Sequence, residues 1–456
     1  MANSKSSLPS RRKFLKTTTR VATASALTGM SIPSVYPAPD NTIQLGLIGC
    51  GGRGTGAVRN AFSVQGVPIK LVAMADIFQE RIEGSYQNLT ERFEERLDVP
   101  EERKYLGFDA YKYVMDSLRP GDVVILATPP AFRWVHFEYA IQKKLHVFME
   151  KPVTVDGPTT RKMFKLADAA DQASLKVGVG LMVRHCRARW ELKDRIDSGQ
   201  IGEVLMMRAY RMHRPVGYAF SDPNPGPLND LLYQVQRFHS FLWASGGLFS
   251  DFYIHQIDEL CWMKGEWPIK AHALGGRHYR GEAIDQNFDN YSVEYTFADG
   301  AKLFLDGRTM EGCHEEFASY AHGTSGVGVV SSGGHTPGRC RIYRDHRIES
   351  SEPVWAFPQP ELNPYDLEWA DLIEAIQEDK PFNETRRGAE ASLVTSMGRM
   401  SAHTGRMISY DEILNCDHEF APMVGEFTMD SPPPLQAGPD GKYPVPMPGI
   451  VTEREY

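Results

Sequence analysis

Ile43-Gln44-Leu45-Gly46-Leu47-Ile48-Gly49-Cys50-Gly51-Gly52-Arg53-Gly54 is a short apolar run that ends in a glycine-rich turn. The run reads as a buried strand, and Ala57 to Val64 beyond the turn suits a helix. A strand, a G-x-G-x-x-G turn and a helix in that order form a cradle for a dinucleotide. Gly49 permits the tight turn, Gly51 lets the backbone approach a pyrophosphate, and the helix start adds N–H donors and a positive dipole. Gly52 and Arg53 fill the variable positions and Gly54 closes the pattern. Asp76 follows Gly49 by 27 residues, at the end of the next apolar run, where a carboxylate holds a ribose 2′-hydroxyl. The same carboxylate repels a 2′-phosphate, which favours NAD over NADP; Arg81 nearby acts in the opposite sense.

Working outward, Lys70–Ala75, Asp122–Ala127 and His146–Met149 are further apolar runs, with a helical stretch from Trp134 to Lys144 before the last. Nearly continuous apolar strands separated by helices predict a doubly wound parallel sheet of the Rossmann type over residues 40–155. The texture then changes. Asn290–Phe297 and Ala301–Leu305 flank Ala298-Asp299-Gly300, with Tyr291, Val293, Tyr295 and Phe297 alternating, and Glu203–Met212 is another strand candidate. This is hairpin chemistry and predicts an open, mainly antiparallel sheet in a C-terminal α/β domain over 156–415. Asn363-Pro364 starts a helix with an apolar stripe at Trp369, Leu372, Ile373 and Ile376, and a second helix near Ala391–Thr404 ends at Gly405. The helices near 365–405 can pack back on the first domain. Residues 420–456 hold eight prolines and predict an extended strap or linker.

Upstream of the fingerprint, Ser10-Arg11-Arg12-Lys13-Phe14-Leu15-Lys16, the weakly apolar run Val21–Ile32 and the Pro-rich stretch 33–39 have the order of a twin-arginine export signal over residues 1–38. The expected partner is the twin-arginine export machinery and the expected location the periplasm or cell envelope. An enzyme carried outside the cytoplasm with a nicotinamide must fold around its cofactor first and regenerate it on each cycle. Removing residues 1–38, which hold six Lys/Arg and no acid, takes the formal charge from −8 to −14. So acidic a chain is a poor partner for nucleic acid or an anionic membrane. No stretch is suited to a stable membrane span. Six cysteines stand singly, with no C-x-x-C pair, so neither a disulfide framework nor a metal site is expected.

Glu150-Lys151-Pro152 follows the strand 146–149, and ligands of such sheets bind beyond the strands' carboxyl ends, so Lys151 projects toward the nicotinamide. Asp251, His255 and Asp258 lie at i, i+4 and i+7, on one helical face. Removal of hydride from a carbinol carbon needs a base for the hydroxyl proton and a cation near the developing alkoxide. His255 suits the first role and Lys151 the second, with Asp251 orienting the imidazole or contacting a sugar hydroxyl. The segment Arg208–Tyr218, with Tyr210, Arg211, His213 and Arg214, reads equally as a carbohydrate-binding surface or a polar loop.

These stretches, with Ala127-Thr128-Pro129-Pro130 and His136, Gly202-Glu203-Val204 and Gly246-Gly247 to Asp258, resemble the Gfo/Idh/MocA family of sugar and polyol oxidoreductases, from about Ile43 to Ile413. The resemblance implies a catalytic Lys151, a cofactor site that includes Thr128, Pro129, His136, Glu150 and Lys151, and a substrate site with Lys151, Arg184, Asp251 and His255. It also implies a sheet face used in oligomers, hence a homodimer or homotetramer. Ala131 departs from the pattern, since relatives often carry a polar residue there. Two other functions fit the same residues: a glycoside-cleaving enzyme that oxidises, eliminates, hydrates and re-reduces, and a binding protein that keeps the fold without turnover.

Overall fold

The computed structural model describes residues 41–456 apart from Tyr279 and Glu349. The expected export signal therefore lies outside the described residues. Six strands, β1 (Ile43–Ile48), β2 (Ile69–Asp76), β3 (Lys104–Leu106), β4 (Val123–Leu126), β5 (His146–Met149) and β6 (Val177–Val179), form a sheet in the order β3-β2-β1-β4-β5-β6. Every pair in it is parallel. Strand order reverses between β1 and β4, and a crevice opens there at the carboxyl ends of the strands. The sheet runs past the expected boundary at residue 155. Its sixth strand lies beyond the helix Gly157–Gln172, whose start is fixed by a capping box between Asp156 and Thr159.

The second sheet has nine strands: β7 (Val204–His213), β8 (Lys270–Gly276), β9 (Asn290–Thr296), β10 (Lys302–Thr309), β11 (Glu316–Gly323), β12 (Gly326–Ser332), β13 (Arg341–Tyr343), β14 (Trp355–Ala356) and β15 (Ile408–Ser409). Their order is β14-β13-β12-β11-β7-β10-β9-β8-β15, and the pair β7–β10 is parallel while the others are antiparallel. The expected β9–β10 hairpin is present. One face is dry: Met207, Tyr295, Leu303 and Leu305 pack against Phe249, Tyr253, Ile257 and Leu260 of the helix Gly247–Lys264. Gly307 on β10 leaves the room that the Tyr253 ring occupies, since a Cβ there would sit 2.3 Å from the ring. The opposite face carries polar side chains and the exposed Leu205 and Leu274.

The helices Pro364–Gln377 and Thr385–Thr404 reach back to the parallel sheet, where Trp369 stacks on Phe148 at 4.6 Å between centroids. Residues 420–456 form a strap with little regular structure, and it is not loose. Phe420, Phe427, Leu435 and Tyr443 are buried with Phe132, Phe241 and Trp243. Ala131, the departure from the family pattern, is buried in this same cluster. Near the end of the strap, Glu455 accepts hydrogen bonds from Arg399 at 2.9 and 2.8 Å and lies 2.7 Å from His403 Nδ1.

Candidate active site

A cleft of about 830 Å³ runs from the glycine turn to the buried helix of the second domain. Its outer end follows the fingerprint. Gly49 has φ +94°, and a Cβ there would meet the Ala127 backbone at 2.6 Å, while one on Gly54 would lie 2.0 Å from the Gly49 carbonyl oxygen. Both positions exclude any side chain. Gly51 and Gly52 differ, because a Cβ on either meets nothing within 4 Å and the turn faces open cleft. The helix Gly52–Ser63 has no side-chain cap, so its first N–H groups point into that space. Asp76 accepts from Cys50 N at 2.8 Å and Phe78 N at 3.1 Å, which ties the end of β2 to the turn. Burial raises its pKa, offset in part by Arg81 and these N–H groups. Arg81 and His136 also line this end, the latter within 3.3 Å of Thr128 Oγ1, beside Pro129. Burial, with Arg133 adding a like charge, pushes His136 down to about 3, so it is neutral. Open backbone at the turn, free helix-start donors and an anchored carboxylate fit a dinucleotide.

Glu150 and Lys151 join the two ends. Glu150 pairs with Arg53 across the glycine turn, and Arg53 lies over the Tyr365 ring at 4.9 Å. Lys151 is held through its neighbours: Glu150 N donates to the Leu126 carbonyl at 2.9 Å and Val153 N to Ser392 Oγ at 3.1 Å. Its Nζ donates to the Asp251 carbonyl at 2.6 Å and lies 3.5 Å from Asp251 Oδ2.

The Gly247–Lys264 helix positions Asp251 and His255. It begins at two glycines in the left-handed region, Gly246 (φ +75°) and Gly247 (φ +73°), where a Cβ would strike Arg399 and Asn287. The expected face is present, but its members divide. Asp251 and His255 line the cleft, whereas Asp258 turns to Arg184 and accepts two hydrogen bonds, at 2.8 and 2.7 Å. Arg184 thus stands outside the cleft, contrary to its expected place at the substrate: a buried carboxylate one turn from the site takes its guanidinium. Asp251 does not orient His255 either. Its Oδ2 lies 3.2 Å from His239 Nε2. Burial alone would raise the Asp251 pKa, but Lys151 and His239 outweigh it and hold the carboxyl well below the usual range.

His255 is buried, its Nδ1 has no hydrogen-bond partner among the described residues, and its ring lies 4.2 Å from that of His335. Burial, with like charge from His335, Lys151 and Arg211, holds it well below its ordinary pKa, so it stands neutral. Of the segment 208–218, Arg211 and Tyr218 reach the cleft. Arg208 and Tyr210 turn to the other face of the sheet and Arg214 pairs with exposed Glu315. His239 and His335 were not anticipated. One sits in a single 3₁₀ turn and the other in the loop after Gly333-Gly334, so neither belongs to a periodic pattern.

A cleft with a dinucleotide cradle at one end and a Lys-Asp-His group at the other is matched by two family profiles. Residues 43–181 match an oxidoreductase family with an NAD-binding Rossmann fold, and residues 190–329 match the GFO/IDH/MocA C-terminal domain. The chain belongs to the Gfo/Idh/MocA oxidoreductase family. The first match ends just past β6, as the sheet does. Within this family the chain is similar to an inositol 2-dehydrogenase of Rhizobium meliloti, 26% identical over 293 residues, covering 63% of this chain and 74% of that protein. It is also similar to a glycosyl hydrolase family 109 protein of Shewanella pealeana, 26% identical over 198 residues, covering 42% of this chain and 39% of that one. Among solved structures, an aldose-aldose oxidoreductase from Caulobacter crescentus, complexed with glycerol, shares the Gfo/Idh/MocA fold with a TM-score of 0.62. It is 17% identical, and the match covers 81% of this chain and 99% of the other. Among the described residues no helix is long and apolar enough to cross a membrane, and no group of three or more His, Cys, Asp or Glu is arranged to hold a metal.

Proposed function

We propose that this oxidoreductase moves hydride between a tightly held NAD and a hydroxyl-bearing carbon of a sugar, polyol or sugar derivative. The observation that carries the reading is the placement of Lys151 Nζ beside Asp251, with neutral His255 on the same helical face, at the inner end of the cleft that starts at the glycine turn. NAD, when bound, supplies the hydride acceptor. His255 takes the hydroxyl proton, Lys151 offsets charge as the alkoxide develops, and Asp251 holds Lys151 in place while accepting from His239 Nε2. The carboxylate of Asp76 supports NAD over NADP, because a 2′-phosphate there would face it directly.

Replacing Lys151 with Ala should leave NAD binding intact and lower hydride transfer about 10²- to 10⁴-fold, read as reduced-nicotinamide absorbance on adding a panel of sugars. Full activity in Lys151→Ala would sink the assignment. The similarity to a glycosyl hydrolase family 109 protein favours a second reading, in which the hydride taken from a ring carbon returns to it after the glycosidic substituent has left and water has added. Steady release of aglycone from aryl glycosides with no net absorbance change would establish that reading over the first.

Retention of the cofactor fits an enzyme exported already folded by the twin-arginine machinery to the periplasm or envelope, and fusion of residues 1–40 to a reporter tests the export. The polar sheet face bearing Leu205 and Leu274 supports a homodimer or homotetramer, which a monomer at micromolar concentration in sedimentation would refute.

A further inference from the structure

We propose that the substrate carries a carboxylate, as a uronate or aldonate does, and that Arg211 is the residue that reads it; the proposal rests on the oxidoreductase reading above. Arg211 extends from β7 into the inner cleft. No carboxylate of the described residues pairs with it. Its Nη1 donates to His335 Nε2 at 2.8 Å, its buried Nε has no partner, and the Phe317 ring lies 4.4 Å from its guanidinium carbon. Burial pushes its pKa down to about 10.

The cations nearest the inner end are held by the protein. Arg53 has Glu150, Lys151 has Asp251, and Arg133 donates to the carbonyls of Leu126 and Thr128. His255 is neutral, and so is His335, because it accepts from Arg211. Arg211 is left facing the inner cleft with no carboxylate of the described residues paired to it. A desolvated, unmatched guanidinium is costly unless a ligand supplies the anion, and its planar edge fits the two oxygens of a carboxylate. One open guanidinium edge suits a monoanion better than the dianion of a sugar phosphate. His255 Nδ1 and His335 Nδ1, also without partners, are placed for the hydroxyls of the same molecule.

The test compares acid and neutral sugars on the NAD-loaded protein: glucuronate against glucose, galacturonate against galactose, with gluconate and glucose 6-phosphate. Binding is read by calorimetry and turnover by nicotinamide absorbance. Uronates or gluconate should bind about 10- to 100-fold more tightly than the neutral hexoses, the worth of one charged hydrogen-bonded contact. Arg211→Gln should cost the acid sugars about 10- to 100-fold more than the neutral ones and so erase that preference, and Arg211→Lys should keep part of it. Equal or tighter binding of neutral sugars by the wild type would overturn the proposal, as would equal losses for both classes in Arg211→Gln. Tighter binding of glucose 6-phosphate than of glucuronate would overturn the carboxylate assignment. Should Arg211→Gln fail to fold, the wild-type comparison and Arg211→Lys still decide. Acid-selective binding with no oxidation of any sugar would instead break the oxidoreductase reading and leave the Arg211 assignment standing.

Discussion

Arg399 and Arg211 are both drawn toward the interior of the second domain, and the protein treats them in opposite ways. Arg399 has no exposed surface, and every edge is answered: both Glu455 oxygens, Ser250 Oγ at 2.7 Å and the Val155 carbonyl at 2.8 Å. Arg211 has a single neutral ring nitrogen. The contrast separates structural charge from functional charge. Where nothing has to enter, the fold supplies the counter-ion itself, at the cost of bringing it from a distant strap; where a ligand must enter, it leaves the ion open.

The largest effect that tests this contrast is Glu455→Gln. It strands Arg399 and His403 without an anion, and denaturant unfolding should show a loss of about 3 to 5 kcal/mol, typical of breaking a buried pair from one side. A loss below about 1 kcal/mol would mean that the strap's anchor is incidental. A pH titration gives the next effect. Burial alone would raise the Glu455 carboxyl, but Arg399 and His403 outweigh it and hold it at about 2, below the ordinary 4.5. A carboxyl depressed in the folded state stabilises fully above its unfolded pKa and loses that contribution as pH falls through the folded value. Wild type should therefore lose about 3 kcal/mol between pH 4.5 and 2 that Glu455→Gln does not, checked by comparing their unfolding midpoints across that window. The smallest effect belongs to the other arginine. Arg211→Gln should change stability by less than about 1 kcal/mol, or raise it, because the partner it leaves, His335 Nε2, is neutral and no charge is stranded. A loss of several kcal/mol in ligand-free protein would erase the contrast.

Local rules read well. Gly49, Gly51 and Gly54 act within one turn, and the runs that became β1, β2, β4 and β5 are apolar because helices cover both faces of their sheet. The hairpin β9–β10 announced itself through alternation and a glycine turn. Strands of three residues such as Val177–Val179 are too short to show a period, which is why apolar patterning alone ends the first domain at 155. At the site, helical spacing brought Asp251 and His255 to one face, but spacing cannot say which long-range partner a side chain takes. Asp258 took Arg184 from 74 residues away, and Asp251 took Lys151 from 100. His239 and His335 sit on irregular backbone, where only the closed fold gives them neighbours. Arg211 was visible as one of several donors on a strand, and strand alternation alone did not tell which face would be the cleft.

The anchoring of the strap also sets an order of events. Glu455 lies 56 residues beyond Arg399. At synthesis rates of about 5 to 20 residues per second, that separation amounts to roughly 3 to 11 s. At the start of this interval the nascent chain already carries the glycine turn, the parallel sheet and every strand of the second sheet but β15, while the guanidinium that braces Ser250, next to Asp251, still lacks its anion. The back wall of the cleft is thus the part of the protein that sets last.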